Sequence, residues 1–357
     1  MSLLGKDSSK SNLTMQSNDN KHSKGKNKSS TNKTSNAEHS DNKCKGTPLP
    51  ELPALEGYLS YMMKEITPEL AAHAKLNLNE TEESRREGLR KMREILKADP
   101  DLKFTDTDDF LLIFLRSRKF DPKRSSDFFK TGLSYIESYR HLLDRKDPEV
   151  IRSIIGSKMV GFMPYRDAKG RAIIYARADK WDWTTIPAGD AIFGGVVAVQ
   201  SAAHNPVNQV SGFVVVLDLK DLKIQQVLAM TRWLIFGTIT LQRACPCFMK
   251  AFHVINVPPI YKIGWKLVKP LLSEKIRKRF IFHKSDDLST LYEYIPQEIL
   301  PKELGGPYPF TNDYWAQDID LIENLYYSYL DNNYFISKRK GKTTGRKNSI
   351  SNIPKDI

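Results

Sequence analysis

The stretch Val254–His283, VINVPPIYKIGWKLVKPLLSEKIRKRFIFH, sets large apolar side chains beside many lysines and arginines, with Glu274 its only acid. Asn256 stops a strand, and Pro258 and Pro259 block its continuation. IYKIGWKLVKPLL then fits a short helix that Pro270 ends or kinks. On a helical wheel Lys262, Lys266 and Lys269 form one cationic stripe. Ile260, Ile263, Leu267 and Leu271 form an apolar stripe roughly opposite, with Tyr261, Gly264 and Val268 beside it and Trp265 near the boundary. Ser273 is placed to cap a second helix, EKIRKRF, in which Lys275 and Arg279 share a face with Lys278 adjacent. An ordinary solvated face mixes charge signs. An apolar flank, a tryptophan and an unopposed lysine stripe instead match a helix that lies on an anionic membrane. At such a surface each cation contributes about 1 kcal/mol.

Outward from this stretch the period of the pattern changes. RAIIYAR (171–177), FVVVLDL (213–219) and AFHVINV (251–257) read as strands, with helical segments DAIFGGVVAVQSAAH and KIQQVLAMTRWLIFGTITLQ between them. Alternating strands and helices predict an α/β fold with a largely parallel sheet. Before it, from Ala71 to about Arg145, the spacing is helical. In TEESRREGLRKMREIL, Thr81 is the N-cap, while Ser84 stands where a full capping box calls for Glu or Gln, so the box reads as incomplete. A further helix is expected over SSDFFKTGLSYIESYRHLL (125–143). The expected organisation is a polar disordered tail over 1–47, a helical subdomain over 48–146, the α/β domain over 147–308, a helical extension over 309–337 and a basic disordered tail over 338–357.

The formal net charge of +13 calls for an anionic partner. Nucleic acid is not expected, because no aromatic-lined basic strand face or reading helix is visible. Cys44, Cys245 and Cys247 suit a reducing, cytoplasmic setting. No signal peptide and no apolar run long enough to span a bilayer is present, so membrane contact is expected to be peripheral. No nucleotide loop or nucleophile elbow occurs, and the seven histidines make no ligand pair at useful spacing. His253 reads as a packing residue, and Asp218 and Asp221 in DLKDL as a polar turn leaving a strand. The chain therefore reads as a binding protein rather than an enzyme, without metal or cofactor.

Four segments in order resemble the CRAL-TRIO lipid-binding family, in particular its tocopherol-transfer and retinaldehyde-binding branch. They are DDFLLIFLRSRKFD, GFVVVLDLKDL, the run from AFHVINV to FIFH, and YIPQEILPKELGG (294–306). The resemblance implies a hydrophobic cage walled by the sheet and closed by a mobile gate helix spanning about Pro259 to Leu272. It implies a non-enzymatic carrier of a retinoid- or tocopherol-like ligand, exchanged at endosomal or other membranes containing phosphatidylinositol phosphates. It assigns phosphoinositide binding to Arg118, Lys250, Lys275, Lys278 and Arg279, with Phe248 standing where that branch has a further base. Membrane contact is expected from Lys262, Trp265, Lys266 and Lys269. The expected cavity lining is Ile192, Gly195, Val199, Val215, Phe252, Tyr261, Leu267, Val268 and Leu272. A glutamate used by phosphatidylinositol carriers corresponds to Cys247 here, which argues against that lipid as the enclosed ligand. The alternative reading is a phosphoinositide-binding recruitment scaffold with a filled or vestigial cavity.

Overall fold

Helix caps are written into the first hundred residues. Thr67, Thr81 and Thr107 each accept a bond from a first-turn amide and start α1 (Pro68–Leu78), α2 (Glu82–Lys97) and α3 (Asp108–Ser117); α4 is Pro122–Ser138. The computed structural model describes residues 55–138, 148–284 and 287–318. The expected tails, the extension beyond residue 318 and the end of the helix expected over 125–143 lie outside them. One expectation is corrected at α2. Ser84 completes the capping box, its Oγ accepting from Thr81 N at 2.8 Å while Thr81 Oγ1 accepts from Ser84 N at 3.1 Å. A hydroxyl can serve where a longer carboxylate or amide is usual, because the loop comes close enough.

α2, α3 and α4 pack through Phe110, Phe114 and Phe129, with the Phe114 and Phe129 rings edge-on at 4.9 Å, whereas α1 packs Ala74 and Leu78 against Val210. They are tied to the rest of the chain by Arg116. Its buried guanidinium donates to Glu80 Oε1 at 2.6 Å and to Gln209 Oε1 at 2.6 Å.

After α5 (Pro148–Ser157) the chain enters a five-stranded sheet in the order β1 (Val160–Phe162), β2 (Ala172–Arg177), β3 (Phe213–Asp218), β4 (Met249–Ile255), β5 (Phe280–Phe282). Only β1–β2 is antiparallel; the other three pairings are parallel. α6 (Ala188–His204) and α7 (Pro206–Ser211) connect β2 to β3, and α8 (Ile224–Arg243) connects β3 to β4. α9 (Tyr261–Val268), a 3-10 turn (Lys269–Leu271) and α10 (Glu274–Arg277) lead from β4 to β5; α11 (Ser289–Tyr292) and α12 (Asp313–Ala316) follow. The helix expected over EKIRKRF is thus only one turn. Ser273 stands at its N-cap without a side-chain bond, and Phe280 begins a strand.

Strand residues alternate between faces, so β2, β3 and β4 sort themselves by parity. Ile173, Tyr175, Val214, Val216 and Ala251 pack against the returning segment that carries Leu291, Ile295, Ile299 and Leu304. Ile174, Val215 and Phe252 face the helices instead. Arg166 staples the segment before α1 to the sheet by donating to the carbonyls of Ser60, Tyr61 and Met63 and to Asn208 Oδ1. With no acid beside it but Asp167, its burial lowers its pKa to about 10.

On the far face His253 and His283 meet, His253 Nδ1 lying 3.0 Å from His283 Nε2, and His283 Nδ1 lying 2.9 Å from Thr290 Oγ1. Burial, then His283 and Arg171, hold the His253 pKa down to about 4. Burial also lowers that of His283, against an opposing effect of Glu293. The unfolded chain takes up protons below about pH 6.5 while the folded His253 stays neutral. The pair's stabilisation is therefore complete above that pH and is lost as pH falls toward about 4. Thermal midpoints should fall more steeply over this window in the wild type than in His253→Gln; equal slopes would remove the pair from this account.

Candidate ligand cavity and basic cleft

The helix-facing parity of the sheet places Ile174, Val215, Phe252 and Phe280 in one register row across four strands. The Phe252 and Phe280 rings stack with centroids 4.7 Å apart. Over this row α6, α8 and α9 leave a cavity of about 290 Å³, bordered by all four side chains. α6 contributes Ile192, Gly195, Val196 and Val199, and α8 contributes Val227, Met230, Gly237 and Leu241. Gly195 matters because no atom lies within 4 Å of where its Cβ would stand. α9 closes the chamber with Tyr261, Gly264, Trp265 and Val268, and Leu272 follows. Eight of the nine residues expected to line a cavity border it: Ile192, Gly195, Val199, Val215, Phe252, Tyr261, Val268 and Leu272.

Leu267 is the exception, 52% exposed on the outer surface with Ile263 (57%) and Leu271 (41%). The wheel set Ile260, Ile263, Leu267 and Leu271 roughly opposite the lysines, and of these Leu267 was expected to line the cavity. The inner arc is the next one round, Tyr261, Gly264, Trp265 and Val268, with Gly264 packed against α8, where a Cβ would stand in ordinary contact, 3.7 Å from Val227 Cγ1. Trp265 is corrected with it. It does not project to the outer boundary but packs inward on Phe280 at 4.6 Å and Phe282 at 5.3 Å, bordering the cavity. Lys262, Lys266 and Lys269 are exposed as expected. α8, which packs against α9, adds exposed Ile224 (50%) and Leu228 (68%) at its start.

Both ends of α9 are held by single polar side chains. Before it, Asn256 adopts a left-handed φ of 51° and its Nδ2 donates to Asp218 Oδ1 at 2.7 Å; Asp218 also accepts from Tyr175 Oη and Lys220 N. Asp218 thus organises the loops after three strands, which bears out its reading as a turn residue. After α9, the Gln242 carboxamide donates to Leu271 O at 3.2 Å and accepts from Ser273 N at 3.0 Å.

The basic cleft is built on a strand irregularity. Phe213 pairs Met249 and Val214 pairs Ala251, so Lys250 is an extra residue in β4, and such bulges re-aim a side chain. Gly212, at φ 84°, leaves room for it, since a Cβ there would lie 2.8 Å from Lys250 Cε and 2.3 Å from Phe248 O. Lys250 Nζ lies 4.9 Å from the Phe248 ring centroid. Burial, followed by the charge of Arg279, lowers the Lys250 pKa, with further contributions from Arg171 and Lys119 and an opposing one from Cys247. Arg279 donates to Met249 O, the carbonyl next to Lys250 in the chain, which brings the two cations to the same strand end. Neither has a carboxylate within ion-pair distance among the described residues.

Arg171 and Lys119 were not singled out in the sequence. Arg171 follows a turn whose Asp167 pairs with it, and Lys119 stands in a left-handed bend after α3. Both lie too far along the chain from Lys250 for spacing to connect them. Arg118 lies over the Phe128 ring at 3.5 Å, with Arg124 as its charged neighbour rather than Lys250. Lys275 and Lys278 are exposed on α10, and Lys278 Nζ pairs with Glu274 at 2.8 Å. Burial pushes the Cys245 pKa up to about 11 and raises that of Cys247, so both remain thiols. No group of three or more His, Cys, Asp or Glu residues suited to a metal exists among the described residues.

The family model described as CRAL/TRIO domain matches residues 156–306, which contain the sheet from β1 to β5 and the gate. A Homo sapiens protein named alpha-tocopherol transfer protein-like is 30% identical over 260 residues, 72% of this chain and 75% of its own length. Clavesin-1 of Rattus norvegicus is 29% identical over 271 residues, 73% of this chain and 75% of its own. Clavesin-2 of Homo sapiens is 28% identical over 270 residues, 73% of this chain and 81% of its own. A crystal structure of Sfh5 aligns at a TM-score of 0.39 and 13% identity over 68% of this chain and 99% of that one, too loose a match to bear on the argument. Similarity of this extent makes the chain a member of the CRAL-TRIO lipid-binding family.

Proposed function

We propose that the protein is a non-enzymatic carrier that encloses a retinoid- or tocopherol-like lipophile and exchanges it at membranes containing phosphatidylinositol phosphates. One observation carries the reading. The helix that closes the cavity is apolar on its inner arc, and its outer face alternates lysines with exposed Ile263, Leu267 and Leu271. Enclosing about 400 Å² of ligand hydrocarbon is worth roughly 10 kcal/mol before the costs of binding. Release into water is therefore slow, and release requires an apolar acceptor and an open gate. An anionic bilayer supplies both. It attracts Lys262, Lys266 and Lys269 at about 1 kcal/mol each. It also accepts the exposed side chains of α9, with Ile224 and Leu228 beside them.

Lys250 and Arg279, whose guanidinium donates to the Met249 carbonyl beside Lys250, offer two cations with no ion-pair partner among the described residues to a phosphorylated head group, which would make recruitment specific as well as electrostatic. No helix among the described residues is long and apolar enough to cross a membrane. The proposed setting is the cytoplasm, with peripheral binding to endosomal or similar membranes. An open cavity of about 290 Å³ favours a carrier over a scaffold with a filled core.

Two outcomes follow. Gly195→Leu fills the cavity from a helix interior, where leucine is favoured over glycine by up to about 1 kcal/mol. Lipid recovered by solvent extraction should drop severalfold while the thermal midpoint holds or rises; undiminished recovery would remove ligand from this cavity. Lys250→Met should weaken binding to phosphoinositide vesicles about fivefold or more in a flotation assay, and barely change binding to phosphatidylserine vesicles. Equal loss on both would reduce the cleft to nonspecific charge.

A further inference from the structure

The gate presents no tryptophan to the outside, since Trp265 packs on Phe280, yet the same end of the sheet exposes one. β2, β3 and β4 run parallel, so the segments leaving their C-terminal ends emerge on one side of the cage. They are the loop 178–187 after β2, the start of α8 after β3 and the gate after β4. The loop carries Trp183, 41% exposed.

Local bonding makes that exposure a fixed feature. Trp181 is buried and donates from Nε1 to Ile186 O at 2.8 Å, closing the loop on itself. Between them Asp182 builds a turn. Its Oδ1 accepts from Thr184 N at 3.0 Å and from Thr184 Oγ1 at 2.6 Å, and its carbonyl accepts from Thr185 N and Ile186 N. Trp181 and Ile186 are withdrawn from water, and Trp183 stands outside at the crest. The loop is fastened to α8 by Gln226, also buried, which donates to Trp181 O at 2.9 Å and accepts from Lys223 N at 2.6 Å. Gln226 lies on the inner face of that helix and leaves Ile224 and Leu228, one turn apart, on the outer face.

An indole held out on a bonded loop is at a disadvantage in water. It gains at the boundary of a bilayer, where the ring meets acyl chains and the N–H meets head groups. The charge of the same segments selects an anionic bilayer. Lys180, Lys220 and Lys223 are exposed there against exposed Asp182 and Asp221, and Asp179, which Lys180 approaches at 3.6 Å, is held by Arg177 at 2.9 Å. A second copy of the chain would set these lysines against their equals.

We propose that Trp183, with Ile224 and Leu228, is a static membrane anchor on the body of the cage, which keeps the protein on an anionic bilayer while the gate moves. Residence on the membrane and release of cargo then depend on different side chains. This assignment rests on the reading of the protein as a membrane-visiting carrier and adds the part that does not move.

The test compares the full-length wild type, Trp183→Ser and Trp183→Tyr on phosphatidylcholine–phosphatidylserine vesicles. In a flotation titration Trp183→Ser should bind about fivefold more weakly, the worth of withdrawing the exposed part of an indole from water. Trp183→Tyr, with another interfacial ring, should stay close to the wild type. Brominated acyl chains should quench tryptophan fluorescence less in Trp183→Tyr than in the wild type. At saturating vesicles, cargo transferred per bound protein should be the same in all three. Equal affinity of Trp183→Ser and wild type, or equal quenching in Trp183→Tyr and wild type, overturns the anchor. Loss of transfer per bound protein in Trp183→Ser places Trp183 in the gating movement and overturns its static role. A wild-type dimer in vesicle-free solution that Trp183→Ser dissociates assigns the patch to a second copy and overturns the proposal. Vesicle binding that depends on Trp183 in a protein yielding no lipophile on extraction leaves the anchor standing and overturns the carrier reading; no vesicle binding by the wild type overturns both.

Discussion

α9 is apolar on its inner face and carries exposed apolar side chains between the lysines of its outer face, and that constraint governs the site. Trp265 and Val268, with Leu272 beyond them, are withdrawn from water against Phe280, α8 and the cavity, while Ile263, Leu267 and Leu271 remain outside. Burial of a large apolar side chain contributes about 1.5–3 kcal/mol, so the inner arc favours the closed position in water. The outer arc gains only where another apolar phase is available. Three lysines keep that outer surface soluble and make the available phase an anionic one. On the proposed reading such a helix has two resting places, the sheet and a bilayer, and the chamber beneath it opens only at the second.

The remaining architecture makes the movement local. Asp218 and Gln242 grip the chain just before and just after the gate through a few hydrogen bonds, each worth about 1 kcal/mol net. The sheet below is pinned far more strongly on its other face, where Leu291, Ile295, Ile299 and Leu304 seal it. Parity of side chains along the strands separates the two jobs: one face is solid packing and the other is the floor of a void. The bulge that frees Lys250 and the glycine that makes room for it sit at the entrance to the same sheet, so the anion site and the chamber share one rigid support.

Much of this was legible in the chain, for identifiable reasons. β2, β3 and β4 are β-branched runs buried on both faces, and nothing else competes for FVVVLDL. β5 was not, because FIF is three residues long and follows a cation-rich turn that continues its helical pattern. Eight lining residues could be named because a cage is lined like a core. Leu267 and Trp265 could not be placed, since an apolar arc broader than one face does not say which part turns inward. That choice is made by packing against α8 and Phe280, contacts between elements apart in the sequence. The influence of Arg171 and Lys119 on Lys250 was invisible for the same reason, since both are remote from it in the chain.

The central claim is that cargo leaves only when the gate moves away from α8, and a reversible tether between the two tests it most directly. Gly264→Cys with Val227→Cys joins them where they are in contact, a Cβ at Gly264 standing 3.7 Å from Val227 Cγ1. Transfer of a fluorescent lipophile to anionic vesicles should stop in the oxidised protein, which keeps its cargo, and return on reduction. Transfer at an unchanged rate with the tether closed would contradict the account.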